Sequence, residues 1–210
     1  MSLKMTQNLN NEIFDEYGTD PIALCKDWLS EAVAKEINDP EAVCLATSTP
    51  DGRPSNRMVL IKEIDERGFK FHTNAESRKG EEIQENPHAA LCFHWKSLRK
   101  QIRIEGQVHA ISEEESDKYF TTRPIERQIG AWASDQSRPY ETLAEMQAAI
   151  EKYTQKFKDV ENIPRPPHWK GFRLDPTSIE FWIGNRARLH TRFVYTKTDD
   201  GTWNATWLCP

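Results

Sequence analysis

Hydrophobic positions along this chain change their spacing repeatedly, and the changes mark out its elements. Asp20 as N-cap and Pro21 in the first turn open a helix, and Ile22, Cys25, Leu29 and Val33 then recur at helical spacing over roughly 17 residues. From Ala42 to Ile111 the period shortens to that of strands. The runs AVCLATS, RMVLIKEI, FKFHT, AALCFHW and QIRIEGQVHAI are separated by turn signals such as Pro50-Asp51-Gly52 and Glu66-Arg67-Gly68. They predict an antiparallel sheet that curls into a barrel, interrupted by one helix from Ser77 to Asn86 that ends ahead of Pro87. Ser112 and Glu115 form a capping box for a helix through Tyr119, and Leu143, Met146, Ile150, Tyr153 and Phe157 mark a longer one. Asn162 to Trp169, with Pro164, Pro166 and Pro167, reads as a stiff connector before three more strands around SIEFWI, TRFVYT and TWNATWL. The pattern is that of a β-barrel with flanking helices, an α+β fold.

Residues 1–19 are mostly polar, and their small apolar content, including Leu9, Ile13, Phe14 and Tyr17, is too little to offset the cost of ordering. They predict a mobile arm ahead of a single domain at 20–210. The size of 210 residues, 37% of them hydrophobic, suits one good-sized core. The longest run without a formal charge, Asn86 to Trp95, has ten residues, half the length of a membrane span. The amino terminus lacks the apolar run of a secretory signal, which points to a reducing, cytoplasmic setting. Cys25, Cys44, Cys92 and Cys209 lie far apart with no C-x-x-C pair, so neither a disulfide framework nor a zinc site is expected. The absence of any Gly-x-Gly, Gly-x-Ser-x-Gly elbow or His-Glu-x-x-His argues against a nicotinamide dehydrogenase, an NTPase and a zinc peptidase.

What the chain does offer is cations. Its formal charge is −5, yet residues 53–103 hold 11 Lys or Arg against 7 Asp or Glu. Arg57 and Lys62 bracket one strand, and Arg78 and Lys79 open a helix, where free backbone N–H groups already favour an anion. A second group, Trp182 with Arg186, Arg188, His190 and Arg192, approaches a later strand. Alternation there would place Arg188, His190 and Arg192 on one face, with an anionic ligand relieving their repulsion. A phosphorylated ligand fits both groups. A nucleic-acid groove does not, given the acidic total and the lack of a basic run. Taken singly, Trp182 reads as core, His190 as a structural histidine and Tyr119 as a helix residue packed on the sheet.

RMVLIK, FHTNAESRK, Gln101, YFTTRP with QIGAWASDQS, and IEFWIGNRARLHTR stand in an order and at separations that resemble the pyridoxine (pyridoxamine) 5′-phosphate oxidase family, from about Asp20 to Pro210. The resemblance implies an FMN-binding split barrel of antiparallel Greek-key type. It also implies a homodimer with FMN at the subunit interface, and oxidation of pyridoxine or pyridoxamine 5′-phosphate to pyridoxal 5′-phosphate with O₂ reduced to H₂O₂. It places the FMN phosphate on Arg57, Arg78 and Lys79. The rest of the flavin site would come from Met58, Val59, Leu60, Ile61, Lys62, His72, Thr73, Gln101, Gln136, Ser137, Trp182 and Arg192. The substrate phosphate would meet Lys62, Tyr119 and Arg123, with Arg127 beside them. Arg188 and His190, the implied catalytic pair, would close over the pyridine ring, and Asp39 would lie near it.

Departures from the family pattern gather around the substrate. Arg127 stands where the family has a serine, Thr191 replaces an acidic residue, Trp207 replaces an arginine, His72 replaces a tyrosine, and residues 1–19 contain no arginine. They leave two other readings open: a split-barrel flavin oxidase acting on another ring, as in phenazine biosynthesis, and a non-catalytic binder of FMN or pyridoxal phosphate.

Overall fold

The structure, a computed structural model, describes residues 12–210. A short helix α1, described over residues 12–17, precedes α2 (Pro21–Lys35), which Asp20 caps by accepting from the Ile22 N–H at 2.9 Å. Then follow β1 (Ala42–Ser48), β2 (Pro54–Leu60), β3 (Glu63–Asp65), β4 (Gly68–Asn74), α3 (Arg78–Glu85), β5 (His88–Trp95) and β6 (Lys100–Ala110). Three helices come next: α4 (Glu113–Thr121), α5 (Ile125–Ala133) and α6 (Leu143–Lys156). The chain closes with β7 (Trp169–Ile183), β8 (Thr191–Lys197) and β9 (Trp203–Trp207). Among the described residues no helix is long and apolar enough to cross a membrane.

Every strand pair is antiparallel, in the order β2-β1-β5-β6-β7-β4-β3, with β8 and β9 branching from β7. The expected antiparallel sheet with flanking helices is what forms, but its hydrogen-bonded path stays open between β2 and β3. β7 lets the ladder branch. Its first half pairs with β4 on one edge, its second half pairs with β8 on that edge, and β6 runs along the other. The register slips at Glu105/Gly106, and a Cβ on Gly106 would lie 2.0 Å from the Asp175 carbonyl oxygen, so only glycine allows the strands to approach at this bulge.

Alternation fills the interior. Val43, Leu45, Phe69, Phe71, Leu91, Phe93, Ile102, Ile104, Phe181, Phe193 and Tyr195 are fully or almost fully buried, each aromatic or large aliphatic among them contributing about 2 kcal/mol. Residues 1–11 of the expected arm lie outside the described residues, but the rest of it is ordered. Ile13 is fully buried, Tyr17 stacks on Phe193 at 4.2 Å, and the buried Tyr195 hydroxyl donates to the Gly18 carbonyl at 2.7 Å. A smaller cluster of Phe120, Ile129, Phe157, Ile163 and Trp169 seats the later helices against the start of β7. Two expectations need correction. The last strands begin earlier, since Trp169 to Asp175, assigned to no strand, pair with β4 and β6, and Trp169 opens β7 instead of closing the connector. α6 keeps its helical period but buries no residue, with Leu143 71% exposed.

Candidate functional site

Beside β2 and β4 lies a cleft of about 280 Å³, walled by Met58, Val59, Leu60 and Lys62 on one side and by His72 and Thr73 on β4. Lys79 and Gln136 close one end; Tyr119, Arg123 and Arg127, with Thr122, Pro124 and Trp169, close the other. Eleven of the residues expected at the flavin or substrate therefore share one cleft. Four of its lining side chains are cationic and none is a carboxylate. A second cavity, of about 310 Å³ between α4, α5 and residues 157–163, holds none of the expected residues.

The end at Lys79 is built by the turn from β4 into α3. Lys79, 7% exposed, donates to Thr73 Oγ1 at 3.1 Å, Ser77 Oγ at 3.0 Å and Gln136 Oε1 at 2.6 Å. Burial, and then the nearby Arg57, push its ammonium down to about 8. Gly80 lets α3 start so close to β4, because a Cβ there would sit 2.3 Å from the Ala75 carbonyl oxygen. One turn on, Glu82 reaches back and accepts from Thr47, Ser55, Arg57 and Arg78. Burial opposes its ionisation, but those four donors outweigh it and hold the carboxyl at about 2. Arg57 and Arg78, expected at the phosphate, are both tethered to Glu82 beside the cleft and do not line it.

At the other end three rings lie nearly parallel. His72 stacks on Tyr119 at 4.1 Å and on Trp169 at 4.9 Å, and Arg123 lies over the Trp169 ring at 4.8 Å. Both His72 ring nitrogens and Arg123 Nη1 are buried without a hydrogen-bond partner. Burial, and then Lys70, Arg123 and Lys62, push His72 down to about 3, so it is neutral; burial and Arg127 also lower Arg123. The wall is clamped from outside: Arg165 donates to Glu113, Asp117 and the Trp169 carbonyl, while Arg67 and Arg173 hold Glu115.

The remaining expected residues lie elsewhere. Gln101 pairs with Trp182 and Trp182 with Arg192 across β6, β7 and β8, forming one lateral row. Trp182 is thirteen residues along β7 from Trp169, about 40 Å of extended chain. The buried Glu180 accepts from Arg192 at 2.9 Å and from Arg103 at 3.0 Å, and fixes the row's arginine. Arg188 and His190 do not share a strand face with Arg192, because β8 begins only at Thr191. They sit in a turn in which Arg188 has φ +62° and Asn185 N–H donates to His190 Nδ1 at 3.1 Å. That bond leaves a neutral His190 with its proton on Nε2. Ile61 is 2% exposed and belongs to the core, while Asp39 (φ +41°) and Ser137 (φ +71°) occupy left-handed turn positions. Trp169, Glu82, Glu180 and Arg165 escaped sequence reasoning. An unexplained tryptophan after a proline run was the sole cue to the first, and the others depend on long-range pairing.

Comparisons with known proteins agree with this architecture. Residues 29–157 match the family described as Pyridoxamine 5′-phosphate oxidase, and residues 169–210 match the Pyridoxine 5′-phosphate oxidase C-terminal dimerisation region. Proteins named pyridoxine/pyridoxamine 5′-phosphate oxidase from Brucella canis and Brucella suis are each 50% identical over 192 residues, 91% of this chain and 94% of theirs. PhzG from Burkholderia lata 383, solved with tetrahydrophenazine-1-carboxylic acid, superposes with a TM-score of 0.88 at 34% identity, covering 94% of this chain and 96% of that one. A pyridoxamine 5′-phosphate oxidase-related, FMN-binding protein from Nostoc punctiforme has a TM-score of 0.72 at 20% identity, covering 90% and 96%, and shares the fold.

Proposed function

The chain belongs to the pyridoxamine 5′-phosphate oxidase family, and from that premise we propose that it binds FMN in the cleft and oxidises pyridoxine or pyridoxamine 5′-phosphate to pyridoxal 5′-phosphate. The observation that carries this reading is the buried, unpartnered N–H of Arg123, set beside Lys62 and Arg127 in a cleft without a carboxylate. A desolvated cation with an idle donor is costly unless an anion completes it, and a phosphate ester does so. The same cleft carries the flat ladder of Tyr119, His72 and Trp169 on one wall and the polar groups of Thr73, Lys79 and Gln136 at its end, so the residues present fit a planar heterocycle that bears a phosphate, as FMN and its substrate both do. Bound FMN supplies the hydride acceptor at N5 and the route for electrons to O₂, which leaves as H₂O₂.

The protein's part is positioning. Lys79, Thr73 and Gln136 hold the flavin end, while Glu82 anchors Arg57 and Arg78 beside it, where they add positive charge toward the phosphate. Lys62, Tyr119, Arg123 and Arg127 seat the substrate phosphate. Arg188, exposed on its turn, would lie over the ring as an orienting cation. His190, with Nδ1 occupied by the Asn185 amide, donates from Nε2, so the substrate proton leaves to water. Gln101, Trp182, Arg188, His190 and Arg192 lie outside the cleft of their own chain, and a second copy brings them to it, consistent with the match of residues 169–210 to a dimerisation region. Lys79→Ala and Trp182→Ala, each inactive alone, are then expected to recover about a quarter of wild-type turnover when assembled together at random, since half of the dimers are then heterodimers and each holds one intact site. No recovery would place both residues in one protomer's site.

Anaerobic titration of the FMN-loaded protein with each B6 phosphate tests the reaction. Bleaching of the oxidised flavin band that reverses in air is the expected result. Persistence of the band with both vitamers, but bleaching by a dihydrophenazine carboxylate, would favour the ring chemistry suggested by the PhzG likeness. Persistence with all of them would leave a binder.

The depressed ammonium of Lys79 adds a pH signature. A phosphate dianion favours the charged form, so FMN affinity is expected to be flat below about 8 and to fall by up to tenfold per pH unit above it. Lys79→Arg, always protonated, should remove the break in a fluorescence-quenching titration.

A further inference from the structure

Cys44 on β1 and Cys92 on β5 are direct partners in the antiparallel register. Both alternate with buried neighbours, Val43 and Leu45 on one strand and Leu91 and Phe93 on the other, so both thiols point to the outer face of the sheet and are half-buried. They continue a lateral row that runs from Met58 through the pair to Arg103 and Glu180. Cys25 lies in the core on α2, and Cys209 is exposed near the carboxyl end.

We propose that Cys44 and Cys92 form an oxidisable dithiol that closes to an intrachain, cross-strand disulfide when it meets a hydroperoxide. Side chains directly opposed in an antiparallel pair have Cβ atoms about 4.5–5.5 Å apart, and a disulfide needs about 3.5–4.5 Å. Closure therefore asks the two strands to approach by no more than about 1 Å, which central ladder strands allow at the cost of strain. A strained bridge is readily reduced, and that makes it a reversible modification instead of a structural staple.

The steps balance. The Cys44 thiolate attacks one peroxide oxygen, the O–O bond breaks, and the departing alkoxide or hydroxide takes a proton, leaving a sulfenic acid on Cys44. Cys92 sulfur then attacks Cys44 sulfur, the S–O bond breaks and water leaves. In sum, two thiols and one hydroperoxide give a disulfide, an alcohol (water when the peroxide is H₂O₂) and water. The order follows from Cys92: its Sγ donates weakly to the Phe93 carbonyl at 3.7 Å, and burial, then the neighbouring Cys44, raise its thiol, so it is the less ready nucleophile and acts second, giving its proton to the departing hydroxide.

The test uses the flavin-loaded protein with no B6 substrate and a few equivalents of added tert-butyl hydroperoxide, so its outcome is independent of the proposed reaction. The expected result is a mass loss of about 2 Da, a peptide containing Cys44 joined to one containing Cys92, and full reversal by dithiothreitol. In Cys92→Ser, dimedone should trap a sulfenic acid on Cys44. Thiols that persist, that overoxidise separately, or that link two chains in an isotope-mixed sample would overturn the proposal.

Discussion

Arg123→Met is expected to raise the thermal midpoint of the ligand-free protein by a few degrees while raising KM for the B6 phosphate about 100-fold with kcat little changed. The two effects share one cause. Arg123 keeps a buried Nη1 without a partner, and its attractive contacts are the Trp169 and Phe120 ring faces at 4.8 and 5.6 Å. Removing an unpaired, desolvated charge stabilises a fold by about 1 kcal/mol, worth roughly 2–4 °C in a chain of this size. On the proposed function the same guanidinium gives the substrate phosphate charge-assisted hydrogen bonds worth about 1.5–3 kcal/mol, and losing them weakens ground state and transition state alike. Differential scanning calorimetry and steady-state kinetics on one preparation check both halves. A lower midpoint with unchanged KM would make Arg123 a structural cation.

Glu82→Gln should behave oppositely, lowering the midpoint by roughly 6–12 °C. Glu82 is 4% exposed and saturated by Thr47, Ser55, Arg57 and Arg78. Its loss takes the carboxylate from the Arg57 guanidinium, whose side chain is 19% exposed, leaving it bonded to Thr47, Ser55 and the Leu45 carbonyl, and breaking a buried charge pair in this way costs about 3 kcal/mol. The carboxyl is held at about 2, below its unfolded value of 4.5. Its contribution is therefore complete above about pH 4.5 and is lost as pH falls through about 2. Acid unfolding of the wild type and of Glu82→Gln should converge toward pH 2, and curves that stay parallel down to that pH would show that the carboxylate was not the source.

The contrast between these residues explains what sequence reading reached. Lys62 and Lys79 were legible as candidate cations because local charge excess and helix position point to them, Arg123 only through the family resemblance, and Asp20 and Ser112 because capping is local. Glu82 was not, since in the run Gly80-Glu81-Glu82 it looks like any solvated helix acid until β1 and β2 bring Thr47, Ser55 and Arg57 to it. The helix α5 was hidden because Pro124 precedes it and Gly130 interrupts its period. The first half of β7 was hidden behind the Pro164–Pro167 stretch, with Gly171 and Pro176 within it. Arg188 and His190 were placed on a strand because alternation continues on paper through a turn that backbone hydrogen bonds actually close.

Because β7 is read by β4, β6 and β8 at once, its length works like a reading frame. Adding one residue between Trp169 and Asp175 would turn either Trp169 or Trp182 to the wrong side of the sheet, since faces alternate with a period of two. Compensating bulges are already committed at Gly106. Insertions and deletions should therefore be tolerated at the Asp199–Gly201 hairpin tip and in the coil before Trp169, while the strand itself admits substitutions only.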